Sequence, residues 1–171
     1  MAPSLQTYEA IVSLGSNQGD RLAWLNRACA ALAALPETCL TARSPIYETE
    51  PVGVPPHLAA HLYLNSVVIV ETRLAPNAFS RAIHDIEASL GRTRGDRPNL
   101  PRTIDIDIVA IDRLTLDSPE LTLPHPRARS RRFVLQPLAD LCPDYLFPGD
   151  TRTVSDLLHA LPPAPRVAHF D

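Results

Sequence analysis

Thr103-Ile104-Asp105-Ile106-Asp107-Ile108-Val109-Ala110-Ile111-Asp112 is the stretch on which the fold turns. Its alternation is that of a β-strand, in which successive side chains point to opposite faces. Ile104, Ile106 and Ile108 share one face, and Asp105 and Asp107 share the other. The isoleucines are candidates for a core. The two carboxylates stand roughly 7 Å apart along the strand, and like charges at that separation repel unless a cation lies beside them. A solvated strand face would read the same way. What favours chemistry is the flank, because Arg92, Arg94, Arg97 and Arg102 come just before.

The composition sharpens that contrast. A chain of 171 residues is long enough for one domain, spanning 1–171, with a substantial core. Its formal net charge of −3 argues against a general nucleic-acid or membrane binder. All sixteen basic residues are arginine, and eight of them fall in two short stretches, Arg92 to Arg102 and Arg127 to Arg132. Arginine presents a planar fork of donors suited to phosphate oxygens. Two such clusters in an acidic chain point to a local anion site. Cys29, Cys39 and Cys142 fit neither a disulfide framework nor a zinc spacing. The amino-terminal residues carry no signal-peptide pattern, and no apolar run reaches membrane-spanning length. A free-standing cytoplasmic protein is expected.

Working outward, Glu9 to Leu14 reads as a strand that ends in Gly15-Ser16-Asn17-Gln18-Gly19-Asp20, a turn and helix start. Leu22, Leu25, Cys29 and Leu32 recur at helical spacing until Pro36. Thr38 to Thr49 reads as one strand, Glu50 to His61 as a proline-rich loop, and Tyr63 to Thr72 as a second long strand. A helix opens at Pro76, carries Phe79, Ile83, Ile86 and Leu90 on its apolar stripe and stops at Gly91. Thr93 to Pro101 is a second loop, leading to the Asp-bearing strand. The order strand, helix, strand, strand, helix, strand is that of an α+β, ferredoxin-like sandwich, an antiparallel sheet with helices on one face. A short strand near Leu121 to Leu123, a helix near Phe133 to Leu141 and a last helix from Val154 to Leu161 form a C-terminal helical extension. Leu161 to Arg166 is expected to be extended and loosely held.

Two carboxylates suited to Mg²⁺, arginines suited to neutralising phosphate charge, and two loops able to close over ligands together suggest phosphoryl transfer. A Walker-type P-loop is excluded, because the chain contains no lysine. Gly15-Ser16-Asn17-Gln18-Gly19 is better read as a tight turn than as a phosphate loop.

Several segments go further. Ser13-Leu14-Gly15-Ser16-Asn17, Tyr63-Leu64-Asn65-Ser66-Val67, Ile86-Glu87 with Gly91-Arg92, Pro101-Arg102-Thr103-Ile104-Asp105-Ile106-Asp107-Ile108, Leu123-Pro124-His125-Pro126-Arg127 and Arg131 to Leu138 occur in order. In these the chain resembles the 6-hydroxymethyl-7,8-dihydropterin pyrophosphokinases of folate biosynthesis. The resemblance implies transfer of the terminal diphosphate of ATP to the pterin hydroxymethyl group, with release of AMP. It implies that Asp105 and Asp107 bind two Mg²⁺ ions bridging the ATP phosphates. Arg92 and Arg102 would be catalytic and grip those phosphates, with Arg94 a further candidate. His125 and Arg131 would contact the ATP phosphates, and Glu87 and Ile108 would lie near the nucleoside. For the pterin it implies an amide at Asn65 against the ring edge, Tyr63 and Phe133 on its two sides, and Thr49, Pro51 and Val52 in the closing loop. The partners expected are these two small molecules, with no nucleic acid, no membrane and no obligate protein partner. The chain departs from the family's usual pattern at Asp96-Arg97-Pro98-Asn99-Leu100, where a tryptophan is common, and at Gly95, where a basic residue is frequent; Trp24 is its one tryptophan.

Other readings are weaker on the residues themselves. An RNA-binding module of ferredoxin-like type would want positive charge and an aromatic strand. A relative that only binds pterin or nucleotide with little catalysis has no need of repelling carboxylates. Another Mg²⁺-dependent nucleotidyl enzyme would share Asp105 and Asp107 but not Asn65 with its paired aromatics.

Overall fold

The computed structural model describes residues 6–92 and 101–171. The central strand is β1 (Tyr8–Ser16), followed by helix α1 (Arg21–Ala33). Gly19, with φ of +67°, makes the turn between them, and the Asp20 carboxylate accepts from the Ala23 N–H at 3.0 Å to cap the helix. The sheet continues with β2 (Thr38–Arg43), β3 (Tyr47–Thr49) and β4 (Tyr63–Thr72). Helix α2 (Pro76–Ser89), opened by its proline, leads through residues 93–100, outside those described, to β5 (Asp105–Ile111). The hairpin β6 (Leu116–Asp117) and β7 (Thr122–Leu123) forms its own small sheet. Helices α3 (Arg132–Leu141) and α4 (Val154–Ala160) and strand β8 (Val167–His169) complete the chain.

The main sheet runs β5-β1-β4-β3-β8, with β2 also paired to β4, and every pairing is antiparallel. The isoleucine face of β5 behaves as its alternation predicts. Ile104, Ile106 and Ile108 are buried with Ala10, Val12 and Leu14 of β1 against Leu25 and Leu32 of α1 and Phe79 and Ile83 of α2. Burying a side chain of this size contributes on the order of 2 kcal/mol relative to exposure.

The opposite face corrects the expected one-sided sandwich. Ile11, Val67, Val109 and Ala110 pack beneath Val134, Leu135 and Leu138 of α3 and Leu157 and Leu158 of α4. The apolar stripes of these helices need a surface to cover, and half of the sheet's second face supplies one. The other half lies beyond this second core. The register brings Asp105, Gly15, Asn65 and Tyr47 into one row across β5, β1, β4 and β3, and Asp107, Ser13 and Val67 into the next.

Three further expectations change. Thr38 to Thr49 is two strands, not one, because Pro45 has no N–H to give the ladder. Ser44 bridges the break, its N–H donating to the Val67 carbonyl and its hydroxyl accepting from the Val67 N–H, both at 2.9 Å. The tail after Leu161 is tied down. Arg132 donates to the carbonyls of Leu161 and Pro162 at 3.1 and 3.0 Å, and β8 pairs with β3. Finally, Leu22 of the α1 stripe is exposed. Among the described residues no helix is long and apolar enough to cross a membrane, and all three cysteines are free thiols.

Candidate active site

The uncovered half of the sheet is the floor of a cleft of about 530 Å³. Ser13, Gly15, Asp105 and Asp107 form the floor, and Tyr63, Asn65 and Thr49 form one side. Pro51, Val52 and Gly53 bring the loop after β3 over that side. Arg92 and Arg102 enter from the α2–β5 connection, and His125, Arg131 and Phe133 come from the segment before and within α3. Twelve of the residues singled out by sequence therefore meet around one cavity: Thr49, Pro51, Val52, Tyr63, Asn65, Arg92, Arg102, Asp105, Asp107, His125, Arg131 and Phe133. Arg94 lies outside the described residues.

The charges interlock. Asp105 Oδ1 lies 2.8 Å from Arg92 Nη1, and Asp105 Oδ2 accepts from Arg102 Nη1 at 3.1 Å. Among the described residues, the ion pair at Asp107 is with Arg131, at the longer distance of 3.8 Å. Burial, with the Asp105 charge on the same face, pushes the Asp107 carboxyl up to about 6 against these arginines. Glu87 is set back from the cleft surface. It lines neither this cleft nor its neighbour. It is 2% exposed beneath them and bonds Arg92, while its Oε1 accepts from the Ile106 N–H at 2.7 Å. One carboxylate thus fixes both Arg92 and the strand that carries the aspartates. Burial pushes its pKa to about 7, with the Ile106 N–H and Arg92 pulling it down.

At the other end, Asn65 is 3% exposed, and its Nδ2 donates to Thr49 Oγ1 at 2.6 Å. That bond sets which way the amide faces. A Cβ on Gly15 would lie 2.8 Å from Asn65 Oδ1, so the strand beside the amide must be glycine for Asn65 to sit there. Arg131 lies with its guanidinium carbon 5.3 Å from the Phe133 ring centroid, joining the anionic and aromatic ends.

His125 Nδ1 accepts from the Arg127 N–H at 3.1 Å, which leaves Nε2 to carry the proton. Burial, with Arg131 and Arg127 nearby, pulls its pKa down to about 4. It is therefore a neutral donor at physiological pH. In NMR spectra of the ligand-free protein, the His125 ring resonances are expected not to titrate between pH 8 and 5.5; an inflection near 6.5 would contradict this assignment.

The sequence profile of 7,8-dihydro-6-hydroxymethylpterin-pyrophosphokinase (HPPK) matches residues 11–143. The chain belongs to the HPPK family. It is 40% identical to the 2-amino-4-hydroxy-6-hydroxymethyldihydropteridine pyrophosphokinase of Methylorubrum extorquens over 91% of this chain and 94% of that protein. It is 40% identical to the enzyme of the same name from Pseudomonas aeruginosa over 88% and 90%. Among solved structures, Plasmodium falciparum HPPK-DHPS superposes with a TM-score of 0.73 at 16% identity, covering 92% of this chain and 46% of that longer one, a likeness of fold. The activity is HPPK pyrophosphokinase activity in folate biosynthesis.

Residues beside this HPPK cleft also help to shape it. Asn17 Oδ1 accepts from the Arg102 N–H at 2.7 Å, while the Asn17 N–H donates to the Arg102 carbonyl at 3.2 Å. The end of β1 thereby holds the backbone of a cleft arginine. Asn17 lay inside a segment that signalled the family, but only the fold brings it to Arg102. His84, on a helix face that reads as surface, lines a smaller neighbouring cleft of about 240 Å³ with Ser80, Ile83, Ile108, Leu121 and Thr122. The two clefts share Asp107 and His125.

Proposed function

We propose that the larger cleft joins the terminal diphosphate of ATP to the hydroxymethyl oxygen of 6-hydroxymethyl-7,8-dihydropterin, and that the smaller one seats the nucleoside. The observation that carries this reading is the row Asp105–Gly15–Asn65. A charged end and an amide end face one cavity with a single glycine strand between them, a backbone separation of about 10 Å for two strand spacings. That span suits a flat bicyclic ring whose substituent reaches phosphates. Asn65 offers donor and acceptor to the ring edge, and Tyr63 and Phe133 stand where they can stack on it, a contact contributing on the order of 1 kcal/mol beyond its buried area. Thr49, Pro51 and Val52 close over it. His125 donates to a phosphate from Nε2, and Arg131 lies beside it.

The donor set fits Mg²⁺. Asp105 and Asp107 are hard oxygen ligands with mutual repulsion to relieve, and among the described residues no group of three or more His, Cys, Asp or Glu side chains competes for a softer metal. When bound there, two Mg²⁺ ions supply charge neutralisation at the phosphates and polarise the attacking hydroxyl. Arg92 and Arg102 now rest on Asp105. With ATP present they transfer these bonds to phosphate oxygens, which offer the same bidentate geometry, and Arg94 joins them. In the reaction, the hydroxymethyl oxygen forms a bond to the β-phosphorus as the bond from that phosphorus to the α,β-bridging oxygen breaks. The hydroxyl proton leaves to solvent, and AMP takes the bridging oxygen. Little covalent chemistry falls to the protein, so alignment and charge stabilisation carry the rate.

The fold is proposed as a ferredoxin-like sandwich formed by the whole chain as one domain, working in the cytoplasm on two small molecules without an obligate protein partner. Incubating the protein with ATP, Mg²⁺ and 6-hydroxymethyl-7,8-dihydropterin is expected to yield AMP and the pterin diphosphate in equal amounts. ADP as product, or no turnover, would refute the proposal.

A further inference from the structure

Arg21, the first residue of α1, lies outside the cleft lining, yet its guanidinium spans the mouth of the loop from Glu50 to His61. Nη2 donates to Glu48 Oε2 at 2.8 Å on the β3 side, and Nη1 donates to the Leu62 carbonyl at 2.9 Å on the β4 side. Its carbon also lies 6.0 Å from the Phe170 ring centroid, just past β8. Thr49 and Tyr63 are the final paired residues of β3 and β4 before the loop opens. Both line the cleft, and Thr49 also sets the Asn65 amide. The two bonds from Arg21 therefore fall on the chain neighbours of this pair, Glu48 within the ladder, where it pairs with Leu64, and Leu62 on the loop side of Tyr63.

The same stem is held from the tail. The Glu50 N–H donates to the Arg166 carbonyl at 3.1 Å, and the Arg166 N–H donates to Glu50 Oε2 at 3.0 Å. The tail that reads from sequence as loose thus braces the start of the loop.

An exposed ion pair is worth little. This one differs in geometry: the side chain is 26% exposed, uses both terminal nitrogens, and joins two strands rather than two neighbours on one helix. Fixing both ends of a loop lowers the conformational freedom that must be given up when a ligand is enclosed. We propose that Arg21 is a positioning residue for the pterin loop, holding its two stems so that Thr49, Tyr63 and the residues between them are set before the pterin arrives. This rests on the pterin reading of the Asn65 end.

The test compares dissociation constants for 6-hydroxymethyl-7,8-dihydropterin and for ATP, measured by calorimetric titration, in Arg21→Met, Arg21→Lys, Glu48→Gln and Asn65→Ala. Arg21→Met keeps the apolar stem and removes the donors. It is expected to weaken pterin binding about tenfold and to leave ATP binding within twofold. Arg21→Lys retains the charge for Glu48 and should recover part of the loss. Glu48→Gln removes the charge of one stem and should shift pterin affinity in the same direction, and it carries the test if Arg21→Met folds poorly. Unchanged pterin affinity in Arg21→Met and Glu48→Gln, with Asn65→Ala impaired, would overturn the inference and leave the pterin site standing. Equal losses for ATP and pterin would show a merely structural role and overturn it too. Normal pterin binding in Asn65→Ala would remove the pterin reading and the inference with it.

Discussion

Asp107→Asn is expected to lower kcat by a thousandfold or more while making the metal-free fold more stable. The loss corresponds to about 4 kcal/mol of transition-state stabilisation, within what a metal-anchoring carboxylate supplies. Asp105→Ala should lose turnover to a similar degree. The stability gain follows from the sign of the shift at Asp107. Its carboxyl is pushed from the usual 3.8 to about 6 by burial and by Asp105, with Arg131, Arg92 and Arg102 offsetting only part. Above pH 6 the folded chain carries the ionised, disfavoured form. As pH falls from 6 toward 3.8 the folded state takes up a proton that the unfolded state does not, so stability at this site rises. Asparagine removes the dependence. With the side chain 38% exposed, solvent screening limits the gain to about 1 kcal/mol near pH 8. Thermal melts in EDTA should show the difference between variant and wild type shrinking from pH 8 to pH 5. Near-normal turnover in both Asp variants would refute the metal assignment, and a destabilised Asp107→Asn would refute the electrostatic account.

Gly15→Ala is expected to mimic Asn65→Ala, although residue 15 carries no side chain to contact a ligand. Both should weaken pterin binding by about a hundredfold, or 2.7 kcal/mol, and leave ATP binding within twofold. Asn65 contributes through buried amide hydrogen bonds, each costing roughly 1–3 kcal/mol when its partner is left unsatisfied. The effect at Gly15 is steric. Alanine fits a strand better than glycine by intrinsic preference, so the backbone itself gains from the change. The new Cβ, however, would stand 2.8 Å from Asn65 Oδ1. The amide must then turn away, and in doing so it gives up Thr49. Paired titrations of the two variants check this. A Gly15→Ala protein with unaltered pterin affinity would mean that the amide adapts, and equal losses for ATP would mean that the whole cleft has collapsed.

Much of this molecule is legible in local pattern. Period-two alternation in residues 104–108 places three isoleucines inward and two aspartates outward, and the structure has them so. Helical spacing with Asp20, Pro76 and Gly91 marks the first two helices to within a few residues. These are short-range effects, decided by sterics and capping within a few residues of chain. The family, too, is carried by contiguous segments. Where the reading fell short, the controlling contact joins residues far apart. Thr38 to Thr49 looked continuous because its β-forming residues outweigh one proline, whereas Ser44 bonding Val67 decides how the strand breaks. Glu87 is likewise set by the fold, which seats its carboxylate against Arg92 and the Ile106 N–H.

The sequence by itself therefore determined the strand and helix inventory, the family and most of the cleft's residues, because periodicity and motif are properties of neighbours along the chain. Only the tertiary structure decided that α3 and α4 cover one half of the sheet's second face and leave the other half as a cleft. It alone brought Gly15 under Asn65, Asn17 to Arg102, and Arg21 across the loop stems. Those contacts depend on strand register and on helix docking, which arise from burial summed over the whole core and are written in no single segment.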